Sequence, residues 1–143
     1  YSALCLVEGL KPNGTLHTLD INEEYTTVAN RYFKKSNFSK NIQQHIGEAL
    51  DIIPTLNCNF QLAFIDADKE NYTNYFDAII DKIDVGGVII ADNVLWSGKV
   101  THEKKDEETI ALDKYNKKII TSERVENVLL PVRDGLMISR KVK

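Results

Sequence analysis

Two short apolar segments that each end in oxygen-bearing side chains are the features that most constrain the possible fold of this chain. They are FQLAFIDADKENY (60–72) and VGGVIIADNV (85–94). Short runs rich in Val, Ile and Phe are typical of buried strands of a parallel sheet, in which ligands bind beyond the carboxyl ends of the strands. We therefore expect Asp66, Asp92 and Asn93 to lie side by side at one edge of such a sheet.

These three side chains suit a metal ion. Carboxylate and amide oxygens are hard donors of the kind that Mg²⁺, Ca²⁺ or Mn²⁺ prefers, and three protein ligands leave positions for water and substrate oxygens. The pattern therefore predicts a metal-assisted catalytic site built from Asp66, Asp92 and Asn93.

Composition narrows the possible partners. The chain has 143 residues and 43% hydrophobic residues, enough for one globular domain over 1–143. A formal net charge of −3 argues against a nucleic-acid surface and favours a small-molecule substrate. No segment approaches the roughly 20 apolar residues of a membrane span. Cys5 and Cys58 form no Cys-x-x-Cys pair, so we expect reduced cysteines and a cytoplasmic location.

The order of elements predicts an α/β fold. Strand patterns and helix patterns alternate, which is typical of a mostly parallel sheet covered by helices. The predicted strands are 15–21, 42–46, a strand ending at Asp66, a strand that follows a turn at Gly86-Gly87, 124–132 and 135–142. The last two are close enough to form an antiparallel hairpin at one sheet edge. The predicted helices are 1–9, 23–35 with Asn22 as cap, 48–56 interrupted at Pro54, 71–82 and 104–121.

Asp20 has two interpretations of equal weight. An acid at the end of the second strand of a nucleotide-binding fold accepts hydrogen bonds from ribose hydroxyls, but Asp20 could instead cap the following helix. The glycine-rich loop that accompanies the first role is absent, because no G-x-G-x-x-G motif occurs.

Lys69 follows the first predicted metal ligand by three residues. A lysine beside a divalent cation can act as a general base, because the neighbouring charge disfavours its ammonium form. A solvated surface lysine is the alternative. The Asp66-x-Asp68 pattern also permits a metal-dependent phosphoryl or glycosyl transferase, although Glu70 stands where phosphatases usually carry Thr.

Two aromatic residues, Tyr72 and Trp96, lie in the segments that leave the two key strands. Either ring could form a wall for a flat substrate, and either could equally be a packing residue.

The segments FIDADKENY and IIADNVLWSGKV closely resemble the cation-dependent O-methyltransferases that use S-adenosylmethionine, the family of catechol and caffeoyl-coenzyme A methyltransferases and their bacterial relatives. The resemblance continues through YSAL, HTLDIN, GEALDIIP and LPVRDGL. It implies a Rossmann-like class I methyltransferase fold, S-adenosylmethionine and Mg²⁺ as cofactors, a catechol-like vicinal diol as acceptor, and a homodimer.

The resemblance also implies roles for single residues. Asp66, Asp92 and Asn93 match the metal ligands, and Lys69 matches the base that acts on the acceptor hydroxyl. The positions that match cofactor contacts are Ser2 for the methionine carboxylate, Asp20 for the ribose, Gly47, Glu48 and Ala49 beside the adenine, and Asp66.

The chain departs from the family at its beginning. The family's first strand and glycine-rich loop have no counterpart here, so we expect the chain to be part of a longer, N-terminally truncated domain. A third interpretation, a non-catalytic α/β binding module, predicts no measurable affinity for the cofactor.

Overall fold

The computed structural model describes residues 1–143, which form five α-helices and six strands. The helices are α1 (Ser2–Val7), α2 (Glu23–Lys35), α3 (Ala49–Thr55), α4 (Tyr72–Ile80) and α5 (Glu107–Thr121). The strands are β1 (Leu16–Asp20), β2 (Ile42–Ile46), β3 (Phe60–Ile65), β4 (Ile83–Ala91), β5 (Val125–Leu130) and β6 (Leu136–Lys141). No helix has the length and apolar character that a membrane crossing requires.

The chain divides into two compact units, residues 1–56 and 57–143. The first contains a parallel pair of strands, β1 and β2, and the second a four-stranded sheet in the order β3-β4-β6-β5. The predicted α/β class is confirmed. The prediction that 1–143 is one domain stays a prediction.

In the first unit, the predicted cap of α2 is confirmed. The Asn22 side chain accepts hydrogen bonds from the backbone N–H groups of Glu24 and Tyr25, at 2.9 and 3.0 Å. These bonds satisfy donors that the first helical turn leaves without partners. The helix therefore begins shortly after β1 ends. Because β1 and β2 run parallel and Asp20 pairs with Ile46, the carboxyl ends of the two strands lie side by side.

In the second unit, β3 and β4 run parallel, whereas β6 pairs antiparallel with both β4 and β5. The predicted edge hairpin is thereby confirmed. Apolar side chains of α4, α5 and the sheet form the core, including Phe76, Ile80, Ile89, Leu112, Ile119 and Met137.

The predicted turn at Gly86-Gly87 is wrong, because both glycines lie inside β4. The pairing of β3 with β4 shifts register there, between Phe60 and Leu62. A Cβ atom on Gly87 would come within 2.9 Å of the Asp84 carbonyl oxygen and 3.0 Å of the Gln61 carbonyl oxygen. The glycine thus permits a close backbone approach inside a strand and does not end one.

Pro54 does not interrupt α3, which continues to Thr55. Because the proline lies in the last turn of a seven-residue helix, its missing N–H group removes only one hydrogen bond near the end of the helix.

Lys141 is a charged residue buried in the second unit. Its ammonium group donates hydrogen bonds to the carbonyl oxygens of Ile80 and Ile83, at 2.9 and 2.8 Å. Ile80 is the last residue of α4, where unpaired acceptors and the helix dipole favour a cation, and Ile83 is the first residue of β4. The lysine therefore joins the end of this helix to β6.

Asp106 caps α5 and carries a perturbed carboxyl group. Hydrogen bonds from the Thr109 hydroxyl and from the Thr109 N–H at 2.9 Å, with Lys99 at 3.2 Å, lower the pKa of Asp106 from 3.8 to about 2. The stabilisation is therefore present above the unfolded-state pKa and is lost as pH falls toward about 2.

We expect Asp106→Asn to make the protein less sensitive to acid. Asparagine is an equally good cap but does not titrate. Urea unfolding at several pH values should therefore show a smaller loss of stability between about pH 4 and pH 2 in the variant. Equal losses in the two proteins would contradict the role of Asp106.

Candidate functional site

Two acidic residues follow neighbouring strands at the same sheet edge. Ile65, the last residue of β3, pairs with Ala91, the last residue of β4. Asp66 and Asp92 come directly after this pair, and the Asp92 N–H donates to the Ile65 carbonyl oxygen at 3.0 Å. Parallel pairing thus brings the two carboxylates together, as the sequence predicts.

Asn93 joins them through an unusual backbone conformation. Its φ of 59° is left-handed, a region that asparagine tolerates better than most residues. Successive side chains of a strand point to opposite faces, so this turn allows Asp92 and Asn93 to line the same cavity. The Asn93 N–H donates to the Asp92 carboxylate at 2.7 Å.

The cavity has a volume of about 730 Å³, within the roughly 300–1,000 Å³ range of small-molecule sites. It is lined by Asp66, Asp92, Asn93, Ser97, Arg133 and Asp134. Its wall is therefore mostly polar, with three carboxylates and one guanidinium group.

Lys69 directs its ammonium group toward the oxygens of this cluster. The residue is only 7% exposed, and its Nζ lies 3.2 Å from Asn93 Oδ1 and 3.7 Å from Asp66 Oδ1. It also donates to the Tyr72 hydroxyl at 2.6 Å. The lysine is therefore a fixed, nearly buried group and not a solvated surface residue.

Tyr72 differs from its sequence-based interpretation as a substrate wall. It has no exposed surface, and its ring packs edge-on against Tyr115 at a centroid distance of 5.6 Å. Its hydroxyl donates to the Asp92 carbonyl oxygen at 2.9 Å. Burial, followed by the charge of Asp66, raises the pKa of Tyr72, so the phenol stays protonated and connects Lys69 to the strand end.

Trp96 also lies near Lys69 but does not line the cavity. Its ring centroid is 5.5 Å from Lys69 Nζ, and its indole N–H is buried without an acceptor. The role of Trp96 in substrate binding stays a prediction.

Asp68 is already occupied by neighbouring side chains. One carboxylate oxygen accepts a hydrogen bond from Asn71 at 2.6 Å, and the other accepts from the Tyr75 hydroxyl. Asp68 does not line the cavity. This geometry gives no support to the Asp66-x-Asp68 metal site of the alternative interpretation.

Of the predicted cofactor residues of the first unit, Asp20 and Gly47 lie at the end of its sheet. Asp20 pairs with Ile46, and the Gly47 N–H donates to the Asp20 carbonyl oxygen at 3.1 Å. Asp20 is exposed and accepts from the Asn22 N–H at 2.9 Å, so it does not cap α2. Glu48 is the N-cap residue of α3 and Ala49 is its first helical residue, whereas Ser2 is an exposed residue at the start of α1.

Sequence reasoning missed Arg133 and Asp134 as cavity residues, because these two residues only separate the predicted strands 124–132 and 135–142. The signal that locates them is topological. Because β6 pairs with β4, the β5–β6 turn lies beside the loop that follows β4, and the Leu95 N–H donates to the Asp134 carbonyl oxygen at 2.9 Å.

Known proteins share both the sequence pattern and the fold. The profile of the O-methyltransferase family matches residues 1–142. A caffeoyl-CoA O-methyltransferase from Medicago sativa is 32% identical over 160 residues, which cover 100% of this chain and 63% of the relative. Another from Mesembryanthemum crystallinum is 33% identical, with 99% and 61% covered. The chain thus spans less than two thirds of the length of these relatives.

Solved structures of O-methyltransferases have a fold similar to that of this chain. An O-methyltransferase from Bacillus cereus in complex with SAH superimposes with a TM-score of 0.90 at 28% identity, covering 99% of this chain and 69% of that one. The O-methyltransferase TomG from Streptomyces achromogenes, in complex with SAM, gives a TM-score of 0.93 at 25% identity, covering 100% and 69%. With a matching family profile over almost its entire length and a Rossmann-like α/β fold, this chain belongs to the O-methyltransferase family.

Proposed function

We propose that the protein transfers a methyl group from S-adenosylmethionine to a hydroxyl of a catechol-like vicinal diol held by a divalent cation. Family membership and the SAM and SAH complexes of the structural relatives support the donor. The observation that carries the acceptor side is that Asp66, Asp92 and Asn93 line one cavity and that Lys69 contacts two of them, Asp66 and Asn93.

The donor set fits a hard cation. Oxygens of Asp66 and Asn93 already face the positive charge of Lys69, at 3.7 and 3.2 Å. The set has two carboxylates and one amide. The chain has no group of three or more His, Cys, Asp or Glu residues that could hold a metal ion, so the third protein ligand in this proposal is the Asn93 amide oxygen. We propose that Asp66, Asp92 and Asn93 hold Mg²⁺, or Ca²⁺ or Mn²⁺ in its place. When bound, such an ion would orient the diol and make its hydroxyl more acidic.

Lys69 is the proposed general base. Its contacts with Tyr72 and Asn93 hold Nζ beside the cavity residue Asn93, where the neutral amine form of Lys69 can take the proton of the acceptor hydroxyl. An oxygen lone pair then forms a bond to the methyl carbon, and the bond from that carbon to sulfur breaks. The products are the methyl ether, S-adenosylhomocysteine and a proton on Lys69. Alignment of the two substrates supplies the remaining rate enhancement.

The cofactor contacts are proposed for the first unit and Asp66. We expect Ser2 to bind the methionine carboxylate, Asp20 to accept from the ribose hydroxyls, and the Gly47-Glu48-Ala49 segment to border the adenine. Asp20 is suited to this role because it is exposed at a strand end and only one of its carboxylate oxygens is engaged, by Asn22.

Calorimetric titration tests this proposal. The full-length protein should bind S-adenosylmethionine, and Asp20→Ala should weaken binding, because ribose hydroxyls lose their acceptor. Asp51→Ala removes an exposed carboxylate of α3 and serves as the matched control. Absence of binding in the presence and absence of Mg²⁺ would contradict methyl transfer and favour a non-catalytic binding module.

A homodimer and a cytoplasmic location also stay predictions. Light scattering of the full-length protein tests the first, and cell fractionation tests the second.

A further inference from the structure

Arg133 occupies a backbone conformation that disfavours arginine. Its φ is 51°, in the left-handed region where side chains other than those of Gly, Asn and Asp are uncommon. It lies in the turn between β5 and β6, which is closed by a hydrogen bond of 3.0 Å from the Gly135 N–H to the Val132 carbonyl oxygen. A bulky residue held in such a conformation often marks a functional position.

Neighbouring residues hold this turn in place. The N–H groups of Val94 and Leu95 donate to the carbonyl oxygens of Gly135 and Asp134, at 3.2 and 2.9 Å. The Asp134 carboxylate also accepts from the Ser97 N–H. The turn is therefore fixed against the loop that carries Asn93, and Arg133 has a defined position at the cavity.

The guanidinium group of Arg133 has no carboxylate partner. Two other arginines of the same unit, Arg124 and Arg140, form ion pairs of 2.5 Å with Asp81 and Glu126. Arg133 forms no ion pair, although Asp134 is adjacent in sequence and three carboxylates line the same cavity. Its donors are therefore available to a ligand.

Guanidinium chemistry indicates what this ligand is. The planar fork of donors matches the two oxygens of a carboxylate or phosphate, and arginine stays charged at every physiological pH. The acceptor diol would be held at the Asp66, Asp92 and Asn93 end of the cavity. An anionic group attached to the same acceptor can then pair with Arg133, which lines that cavity.

We propose that Arg133 is a specificity-determining residue that binds a carboxylate or phosphate group of the acceptor, so that the preferred substrate is an anionic catechol-like diol. This inference rests on the proposed methyltransferase function. It adds a second point of attachment, separate from the diol oxygens, that selects among diols.

The test compares anionic and neutral acceptors that share one diol. The probes are 3,4-dihydroxybenzoate, its neutral methyl ester and the phosphomonoester of 3,4-dihydroxybenzyl alcohol. For the wild-type full-length protein, kcat/KM should be higher with at least one anion than with the ester, and the better anion identifies the preferred group. The preference is the ratio of kcat/KM for the better anion to kcat/KM for the neutral ester. In Arg133→Gly this ratio should fall about tenfold, as loss of one charged hydrogen bond predicts.

Three comparisons keep the result interpretable. Glycine accepts the left-handed conformation, so Arg133→Gly should fold. Arg133→Lys should retain part of the preference because it keeps the charge, and Arg140→Gln should retain all of it because Arg140 is paired with Glu126 elsewhere. A ratio that is the same in the wild type and Arg133→Gly would overturn the assignment, as would equal losses with all three probes.

A binding measurement separates this inference from the proposed function. Calorimetric titration of 3,4-dihydroxybenzoate with Mg²⁺ present requires no methyl transfer. Weaker binding to Arg133→Gly than to the wild type would support the anion site. This conclusion would hold even if no diol were methylated, although the absence of methylation would itself refute the proposed reaction. Equal binding to both proteins would refute the anion site whether or not methyl transfer occurs.

Discussion

Asp66→Ala, Asp92→Asn and Asn93→Gly should each lower metal-dependent methyl transfer by about a hundredfold or more, because the first and third remove a ligand and the second replaces a charged ligand by a neutral one, which leaves the acceptor misplaced. The substitutions are chosen to preserve the fold. Asparagine at position 92 retains an acceptor for the Asn93 N–H, and glycine at position 93 accepts a φ of 59°. The measurement is kcat/KM as a function of Mg²⁺ concentration, with thermal melting as a check on folding.

Asp68→Ala is the matched control for these variants. Asp68 belongs to the same loop, but both of its carboxylate oxygens accept hydrogen bonds from Asn71 and Tyr75. We expect this variant to lose far less activity. The opposite order, with Asp68 essential and Asp92 dispensable, would favour the phosphoryl or glycosyl transferase interpretation. Full activity in excess chelator would exclude a metal role.

Lys69→Met should lower kcat by about 10²–10⁴-fold, the range typical of general-base catalysis, and should leave the affinity for S-adenosylmethionine nearly unchanged. A base acts on the acceptor and not on the sulfonium donor. Asp20→Ala should show the reverse pattern, with weaker cofactor binding and a smaller effect on kcat. Single-turnover kinetics and calorimetry on the two variants separate these quantities.

Methionine is suited to this test because Lys69 is nearly buried. Its four-atom chain can pack beside Tyr72 and Trp96, whereas a charged or short replacement would disturb both contacts. Unchanged kcat in Lys69→Met across the pH range would show that Lys69 is not the base. Equal losses of cofactor affinity and turnover would indicate a structural role for Lys69.

The sequence predicts well where local chemistry decides the structure. Asn22 caps α2 because its side chain satisfies the first helical N–H groups, and Asp66 lies beside Asp92 because two apolar runs form parallel strands. Both features follow from short segments. They need no knowledge of the remainder of the fold.

Prediction fails where residues distant in sequence decide the structure. Gly86 and Gly87 read as a turn, but β3 pairs on both sides of them and keeps them in a strand. The burial of Tyr72 depends on packing against Tyr115 of α5. Arg133 reaches the cavity only because β6 pairs with β4. Local propensity contains none of this information.

The connection between the β5–β6 turn and the loop after β4 has a consequence for protein engineering. The left-handed φ of 85° at position 135 favours glycine, and a Cβ atom there would come within 2.6 Å of the Leu95 side chain. The loops 94–97 and 132–135 therefore pack closely against each other and are structurally coupled. Transferring the proposed acceptor preference to a relative therefore requires exchange of both loops together, because a loop exchanged alone would pack against a neighbouring loop of different shape.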